Sequence, residues 1–258
     1  MAVLQLSGAA LDYDVQGAGP AVVQLHGLTS SRRRDHLLGL DIASHLDDVR
    51  LLSYDARGHG RSAGAAEPAH YRWPGLAEDL EHLIRQVFDS QRVHGAGCSM
   101  GAATLLHAAT RRPERFSTLT LVLPPTAWAT RRARASEYES AARLVEHDGI
   151  ASFLAADDPL DVPPAAQGRP RTTPDVEQTL LPSILRGAAL SDLPRPQELE
   201  ALDVPTLILA WIDDPTHPTS TAERLDALLP QSRLVVAAQP SDVARWPSEL
   251  QRHVREGA

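Results

Sequence analysis

The segment Gly97-Cys98-Ser99-Met100-Gly101 constrains this chain more than any other. It follows Gln91-Arg92-Val93-His94-Gly95-Ala96, which reads as a strand. It precedes Ala102-Ala103-Thr104-Leu105-Leu106-His107-Ala108-Ala109, which reads as a helix. The two glycines remove Cβ atoms where a strand and the next helix crowd each other, and the serine occupies the apex. Such a strand–turn–helix exposes the serine hydroxyl above the sheet, at a helix N-terminus that favours developing negative charge. An ordinary strand-to-helix turn shares the pattern, so the rest of the chain must decide what it means.

The rest alternates strands and helices. Val3–Leu6 and Leu11–Val15 flank Ser7-Gly8 and predict an N-terminal hairpin. Ala21–Leu25 is short and continuously apolar, the pattern of a strand buried on both faces. Ser30–Leu46 reads as helix and Val49–Tyr54 as strand. Pro74–Phe88 reads as helix from the spacing of Leu76, Leu80, Leu83, Ile84 and Val87. Further strands are expected at Thr118–Leu123, Pro205–Trp211 and Ser232–Ala238, with helices at Thr219–Leu229 and Pro247–Glu256. This alternation implies right-handed βαβ units and a mostly parallel sheet, an α/β fold. Residues 126–203 break the rhythm, with helix-like pieces, no good strand, and Pro159, Pro163, Pro164, Pro170 and Pro174 crowding the middle. The expected organisation is therefore a core of residues 1–125 and 204–258, with 126–203 inserted as a helical cap containing a Pro-rich loop.

Composition excludes more than it selects. A net charge of −8 argues against a nucleic-acid surface. Arg32-Arg33-Arg34 and Arg131-Arg132-Ala133-Arg134 read as solvated helix faces. One cysteine, Cys98, permits no internal disulfide and no cysteine metal cluster. The 11 histidines are scattered, without metal-ligand spacing, and no Gly-rich dinucleotide fingerprint follows the first strand. No cofactor or metal is expected. The N-terminus lacks the basic and apolar regions of a signal peptide, and no long apolar run is present, so the expectation is a cytoplasmic protein without a membrane partner. The expected partner is a small-molecule substrate; oligomeric state is not readable.

Four motifs then agree in order and spacing. They are His26-Gly27-Leu28-Thr29 after a buried strand, Asp55-Ala56-Arg57-Gly58-His59-Gly60-Arg61-Ser62, the Ser99 turn, and Trp211-Ile212-Asp213-Asp214-Pro215-Thr216-His217-Pro218 after a late strand. Through them the chain resembles the α/β-hydrolase superfamily over essentially its whole length. The resemblance implies acyl transfer, with Ser99 as nucleophile. It also implies an oxyanion hole made by the backbone N–H groups of Leu28 and Met100; losing one such donor usually costs ~10²–10³ in rate. His26 and His59 are expected to be structural, and Asp55 and Arg57 to hydrogen-bond within their own turn. Asp213 and Asp214 compete for the acid position; alignment to the family's turn favours Asp214, leaving Asp213 to cap the turn. Trp73, Trp211 and Trp246 are expected to pack, with Trp128 the tryptophan best placed to touch ligand.

The departure from the family lies at the base. Its usual Gly-His after the last strand is replaced here by Gln239-Pro240-Ser241-Asp242-Val243. His217, three residues after Asp214, is one substitute, because triads are defined by geometry rather than chain order. His253, in the final helix, is another, although a surface position is expected for it. The third possibility is that no ordinary base exists. The leading reading is a serine hydrolase of a small ester, lactone or thioester, working through an acyl-enzyme on Ser99 with Asp214 and His217. The alternative is a non-hydrolytic member, a lyase, cyclase or ligand-binding protein using the same pocket.

Overall fold

The computed structural model describes residues 2–155 and 162–257. An N-terminal hairpin, β1 (Ala2–Leu6) and β2 (Ala9–Gln16), leads into β3 (Ala21–Leu25), α1 (Arg32–Leu38) and β4 (Arg50–Tyr54). Then come α2 (Trp73–Phe88), β5 (Val93–Cys98), α3 (Met100–Arg111) and β6 (Phe116–Val122), followed by α4 (Arg131–Ala155), α5 (Leu181–Ala189) and α6 (Pro196–Glu200). The chain closes with β7 (Thr206–Trp211), α7 (Thr219–Leu228), β8 (Ser232–Ala237), α8 (Pro240–Val243) and α9 (Trp246–Glu256). The strands form one sheet in the order β1-β2-β4-β3-β5-β6-β7-β8. β2 pairs antiparallel with β1 and β4; every pairing from β4 through β3 to β8 is parallel.

Two apolar layers hold the sheet because neighbouring strand residues point to opposite faces. Val23 and Ile208 face one layer, with Leu76, Leu80 and Leu83 of α2 and Leu105 of α3. Val22 and Leu207, one residue away, face the other, with Trp246, Leu250 and Val254 of α9. The largely apolar strands β3 and β7 are buried along their whole length, as coverage on both faces requires. Among the described residues, 126–203 contain helices and no regular strand, only an isolated bridge between Val176 and His59. α4 bends at Gly149, whose φ of 80° no helix interior adopts. Its Ala142 and Val145 pack on Leu181 and Leu185 of α5, with Leu28 from the turn after β3 against the same cluster. Pro159, within the expected Pro-rich loop, lies outside the described residues.

Several expectations change. The helix read at Ser30–Leu46 stops early: Gly39, at φ 61°, caps α1, and Ile42–His45 form a separate 3₁₀ turn. The arginine runs are not simply solvated. Arg32 donates to Asp55 and pairs with Asp12. Arg131 is buried, its guanidinium 4.2 Å over the Trp73 ring and donating to the carbonyls of Ser191 and Ala188. His253 is buried as well, its Nε2 3.1 Å from the Leu119 carbonyl, because it shares the inward stripe of α9 with Trp246, Leu250 and Val254. Asp55 does organise its own turn, accepting from the Arg61 N–H, but Arg57 reaches out of it to α2. There its Nε and Nη2 donate to Asp79 at 2.7 and 2.6 Å in a buried fork. Breaking a buried pair from one side strands the other charge. Asp79→Ala is therefore expected to destabilise the protein by about 3–5 kcal/mol in urea unfolding. A loss below about 1 kcal/mol would mean that Arg57 finds water or another acceptor.

Candidate active site

β5 ends at Cys98 and the chain turns into α3 within one residue, Ser99, at φ 50° and ψ −108°. Such a conformation is rare for a residue with a Cβ and costs of order 1–3 kcal/mol. The surroundings over-determine it. The Ser99 N–H donates to the Val122 carbonyl at 2.9 Å, and the Ser99 carbonyl accepts from Ala103 at 3.0 Å. A Cβ at Gly97 would fall 2.5 Å from the Gly101 backbone, and one at Gly101 would fall 2.7 Å from the Leu25 carbonyl oxygen. The two glycines are thus dictated by contact between α3 and the ends of β5 and β3.

The turn after β7 supplies the partners. Asp213, exposed and at φ 57°, reverses the chain so that Asp214 points inward. Asp214 Oδ1 accepts from the backbone N–H groups of Thr216 (2.8 Å) and His217 (3.2 Å); Oδ2 accepts from Trp211 Nε1 at 2.6 Å. His217 Nδ1 lies 2.7 Å from the same Oδ2, and His217 Nε2 lies 2.9 Å from Ser99 Oγ. Burial alone would oppose ionisation of Asp214. The hydrogen bonds from His217, Trp211 and Thr216 outweigh it and hold the carboxyl well below the ordinary range. An ionised Asp214 is acceptor-only, so the proton between it and His217 belongs to Nδ1. Nε2 is then the acceptor for the Ser99 hydroxyl proton. This tautomer follows from the hydrogen-bond network.

The structure brings together Ser99, His217 and Asp214, and leaves the other histidines elsewhere. Gln239 and Asp242, where the resemblance would have a histidine, form a capping box on α8. His26 Nδ1 donates to the Gly27 carbonyl and its Nε2 accepts from the Ala56 N–H, tying two loops together. His59 is fully enclosed, with burial lowering its pKa to about 3, and its Nδ1 donates to the Arg57 carbonyl. The His26–Leu28 turn crosses the serine: a Cβ on Gly27 would lie 3.6 Å from Ser99 Cβ. Among the described residues, no loop, turn or cap hydrogen bond uses the backbone N–H of Leu28 or Met100.

Above Ser99 and His217 opens a cavity of about 790 Å³. Its walls include Tyr138, Leu144 and Phe153 of α4 and Leu185 of α5. Trp211 also lines it, so the expectation that Trp211 only packs is corrected. Trp128 does not line this cavity; its indole N–H donates to the Pro194 carbonyl at 3.1 Å. Sequence reading missed Asp35, a buried carboxyl in the cavity wall, and counted Arg34 and Arg134, also in the wall, as solvated. Nothing in the local pattern separates them from the exposed charges beside them. Among the described residues, no group of three His, Cys, Asp or Glu is arranged to hold a metal ion, and no helix is long and apolar enough to cross a membrane.

The family model for the alpha/beta hydrolase fold matches residues 20–244. A putative carbamate hydrolase, RutD, of Variovorax paradoxus is 28% identical over 229 residues, covering 83% of this chain and 82% of that protein. The uncharacterized hydrolase YraK of Bacillus subtilis is 31% identical over 113 residues, a match spanning 43% of this chain and only 40% of that protein. Among solved structures, an esterase from Thermogutta terrifontis superposes with a TM-score of 0.76 at 20% identity, covering 96% of this chain and 94% of that one.

Asp35 gives the site a measurable pH signature. Burial pushes its carboxyl up to about 6, from an ordinary value of 3.8, despite the opposing influence of the Ser30 hydroxyl and Arg34. The folded state therefore holds this proton more tightly than the unfolded chain. The stabilisation is complete below the unfolded value and is lost as pH rises through about 6. Asp35→Asn removes that dependence. The stability difference, variant minus wild type, is expected to be more favourable at pH 8 than at pH 4 by roughly 2–3 kcal/mol in denaturant unfolding. An unchanged difference across that range would contradict a raised Asp35 pKa.

Proposed function

The chain belongs to the alpha/beta hydrolase fold family, and on that premise we propose that it is a serine hydrolase acting on a small ester, lactone or thioester through an acyl-enzyme on Ser99. The observation that carries this reading is the continuous hydrogen-bond chain from Ser99 Oγ through His217 to Asp214. His217 Nε2 takes the Ser99 proton as the oxygen attacks the substrate carbonyl. The N–H groups of Leu28 and Met100 receive the resulting oxyanion. His217 then returns the proton to the leaving oxygen or sulfur, releasing an alcohol or thiol and leaving Ser99 acylated. Water, deprotonated by the same Nε2, cleaves the acyl-enzyme to the carboxylic acid. Asp214 holds the ring orientation and stabilises the imidazolium formed in each step.

The names of the relatives support a hydrolase and leave the scissile bond open. RutD is named as a putative carbamate hydrolase and the Thermogutta protein as an esterase; both descriptions concern an acyl carbon bound to oxygen. In this reading residues 126–203 act as a cap, with α4 and α5 roofing the cavity and setting substrate shape. The partner is a small molecule and the working location the cytoplasm. The non-hydrolytic alternative is motivated by a missing base, and the placement of His217 beside Ser99 supports the hydrolytic reading over it.

A fluorophosphonate probe should label Ser99 stoichiometrically, seen as one modified peptide by mass spectrometry. Ser99→Ala and His217→Ala should each lower kcat/KM on a small activated ester by at least about 10³-fold, and Asp214→Asn by a similar factor because it favours the wrong histidine tautomer. Ordinary turnover by His217→Ala would remove it from the mechanism.

A further inference from the structure

Asp35 is a buried carboxyl in the cavity wall that the mechanism above does not use and that is costly to place there. It is 2% exposed. One carboxyl oxygen, Oδ1, accepts from the Ser30 hydroxyl at 2.5 Å; the other, Oδ2, is buried with no hydrogen-bond partner among the described residues. A buried polar atom without a partner forfeits its hydration without return, and native proteins rarely retain one without a use. Its neighbours in the wall, Leu38, Leu40 and Cys98, offer no strong donor.

Asp35 borders two spaces. It lines both the Ser99 cavity and a second recess of about 650 Å³ beside α1, whose residues are mostly polar. Ser30, which holds the carboxyl from its other oxygen, lines the Ser99 cavity and not the recess. Helix α1 fixes the Asp35 backbone, whose carbonyl accepts from Leu40 at 2.8 Å. The acceptor is therefore rigid, desolvated and in the wall of the space that also holds Ser99 and His217.

We propose that Asp35, held by Ser30, forms a polar subsite that accepts a hydrogen bond from a neutral N–H or O–H group of the substrate, away from the scissile carbonyl. This rests on the serine-hydrolase reading for its kinetic readout. The subsite distinguishes substrates that carry such a donor from isosteric ones that carry a methyl group. A site built to hydrogen-bond a substrate group rejects the analogue lacking it far more strongly than an apolar pocket rejects a missing methylene. A cationic group fits less well, because Arg34 lines the same cavity and already acts on the Asp35 charge. Burial, which pushes the carboxyl up to about 6, also leaves part of the population neutral near that pH and so weakens the attraction for a cation there.

The test is a series of p-nitrophenyl esters with straight acyl chains of increasing length, each ending in a methyl, hydroxyl or trimethylammonium group. At one chain length the hydroxyl ester is expected to exceed its methyl isostere in kcat/KM by about tenfold or more. Asp35→Leu should bring that ratio to about one. Asp35→Asn keeps an acceptor but loses the charge and is the second variant should Asp35→Leu not fold; it should lower the ratio at least threefold. No preference at any length, a preference that survives both variants, or a stronger preference for the trimethylammonium ester would each overturn the proposal. If wild type neither turns over these esters nor takes the fluorophosphonate on Ser99, it is the hydrolase reading that fails. The subsite is then read from the thermal shift of Ser99→Ala protein with the same hydroxyl and methyl esters. A larger shift with the hydroxyl ester, abolished in Ser99→Ala/Asp35→Leu, supports the subsite, and equal shifts refute it.

Discussion

The approach of α3 to β3 at Gly101 sets the rest of the site. The helix backbone there lies so close to Leu25 and His26 that no side chain fits. This contact pins the start of α3 against the turn that carries Gly27 and Leu28. It also forces the whole reversal from β5 into the single residue Ser99. The strain at Ser99 is thus a consequence of helix–sheet packing and is sustained by it. The same packing leaves Leu28 and Met100 beside the serine with backbone N–H groups that, among the described residues, no loop, turn or cap hydrogen bond uses. A looser elbow would relieve the serine and lose that juxtaposition.

The second constraint is electrostatic. Asp214 is enclosed, yet it ionises easily because four donors converge on its two oxygens. Two of these are backbone N–H groups of its own turn and one is the indole of Trp211, at the end of the strand that delivers it. The turn therefore solvates its own carboxylate. The charge is fixed before anything binds, and His217 has a single favourable tautomer. Asp35, in the same cavity wall, is the converse case: one hydroxyl donor, a second oxygen with none, and a raised pKa. Environment alone separates the two carboxyls.

The parts legible in the sequence were those encoded over short distances. β3 announced itself as a short, largely apolar run, α2 by its helical spacing, and the Ser99 turn by its two glycines. The likeness of the Trp211–Pro218 segment to an acid-bearing turn singled out Asp214, and its spacing made His217 a candidate. That Ser99 and His217 meet was legible only as one of three alternatives for the base, since 118 residues separate them and only the sheet register joins them. Burial of isolated charges was illegible for a related reason. Arg131 and Asp35 lie inside charged runs whose other members keep at least part of their surface in water, and only tertiary packing, against Trp73 in the case of Arg131, buries them. His253 is different. Trp246, Leu250, His253 and Val254 form a helical stripe, and reading that stripe through the histidine would have placed it inside.

Sheet register also explains why the histidine sits where it does. Cys98 pairs with Val122 and Val122 with Leu209, so the ends of β5 and β7 lie level on either side of β6. At ~4.8 Å per strand they are about 10 Å apart. Leu123 leaves β6 at once, bonded to Leu209, and Thr126 bonds back to Thr216, which opens the space directly above β6. The turn after β7 folds into that space and carries His217 across to Ser99. A histidine delivered after β8 would have to cross a further strand, about 14 Å in all, on a loop long enough to pass over β7. Here that connection is a tight cap leading into α8, too short to reach. The acid and the imidazole therefore share one turn, three residues apart, and their mutual geometry is set locally. Only the distance to Ser99 depends on the sheet, and it depends on the buried parallel strands β5, β6 and β7 rather than on the exposed edge strand β8.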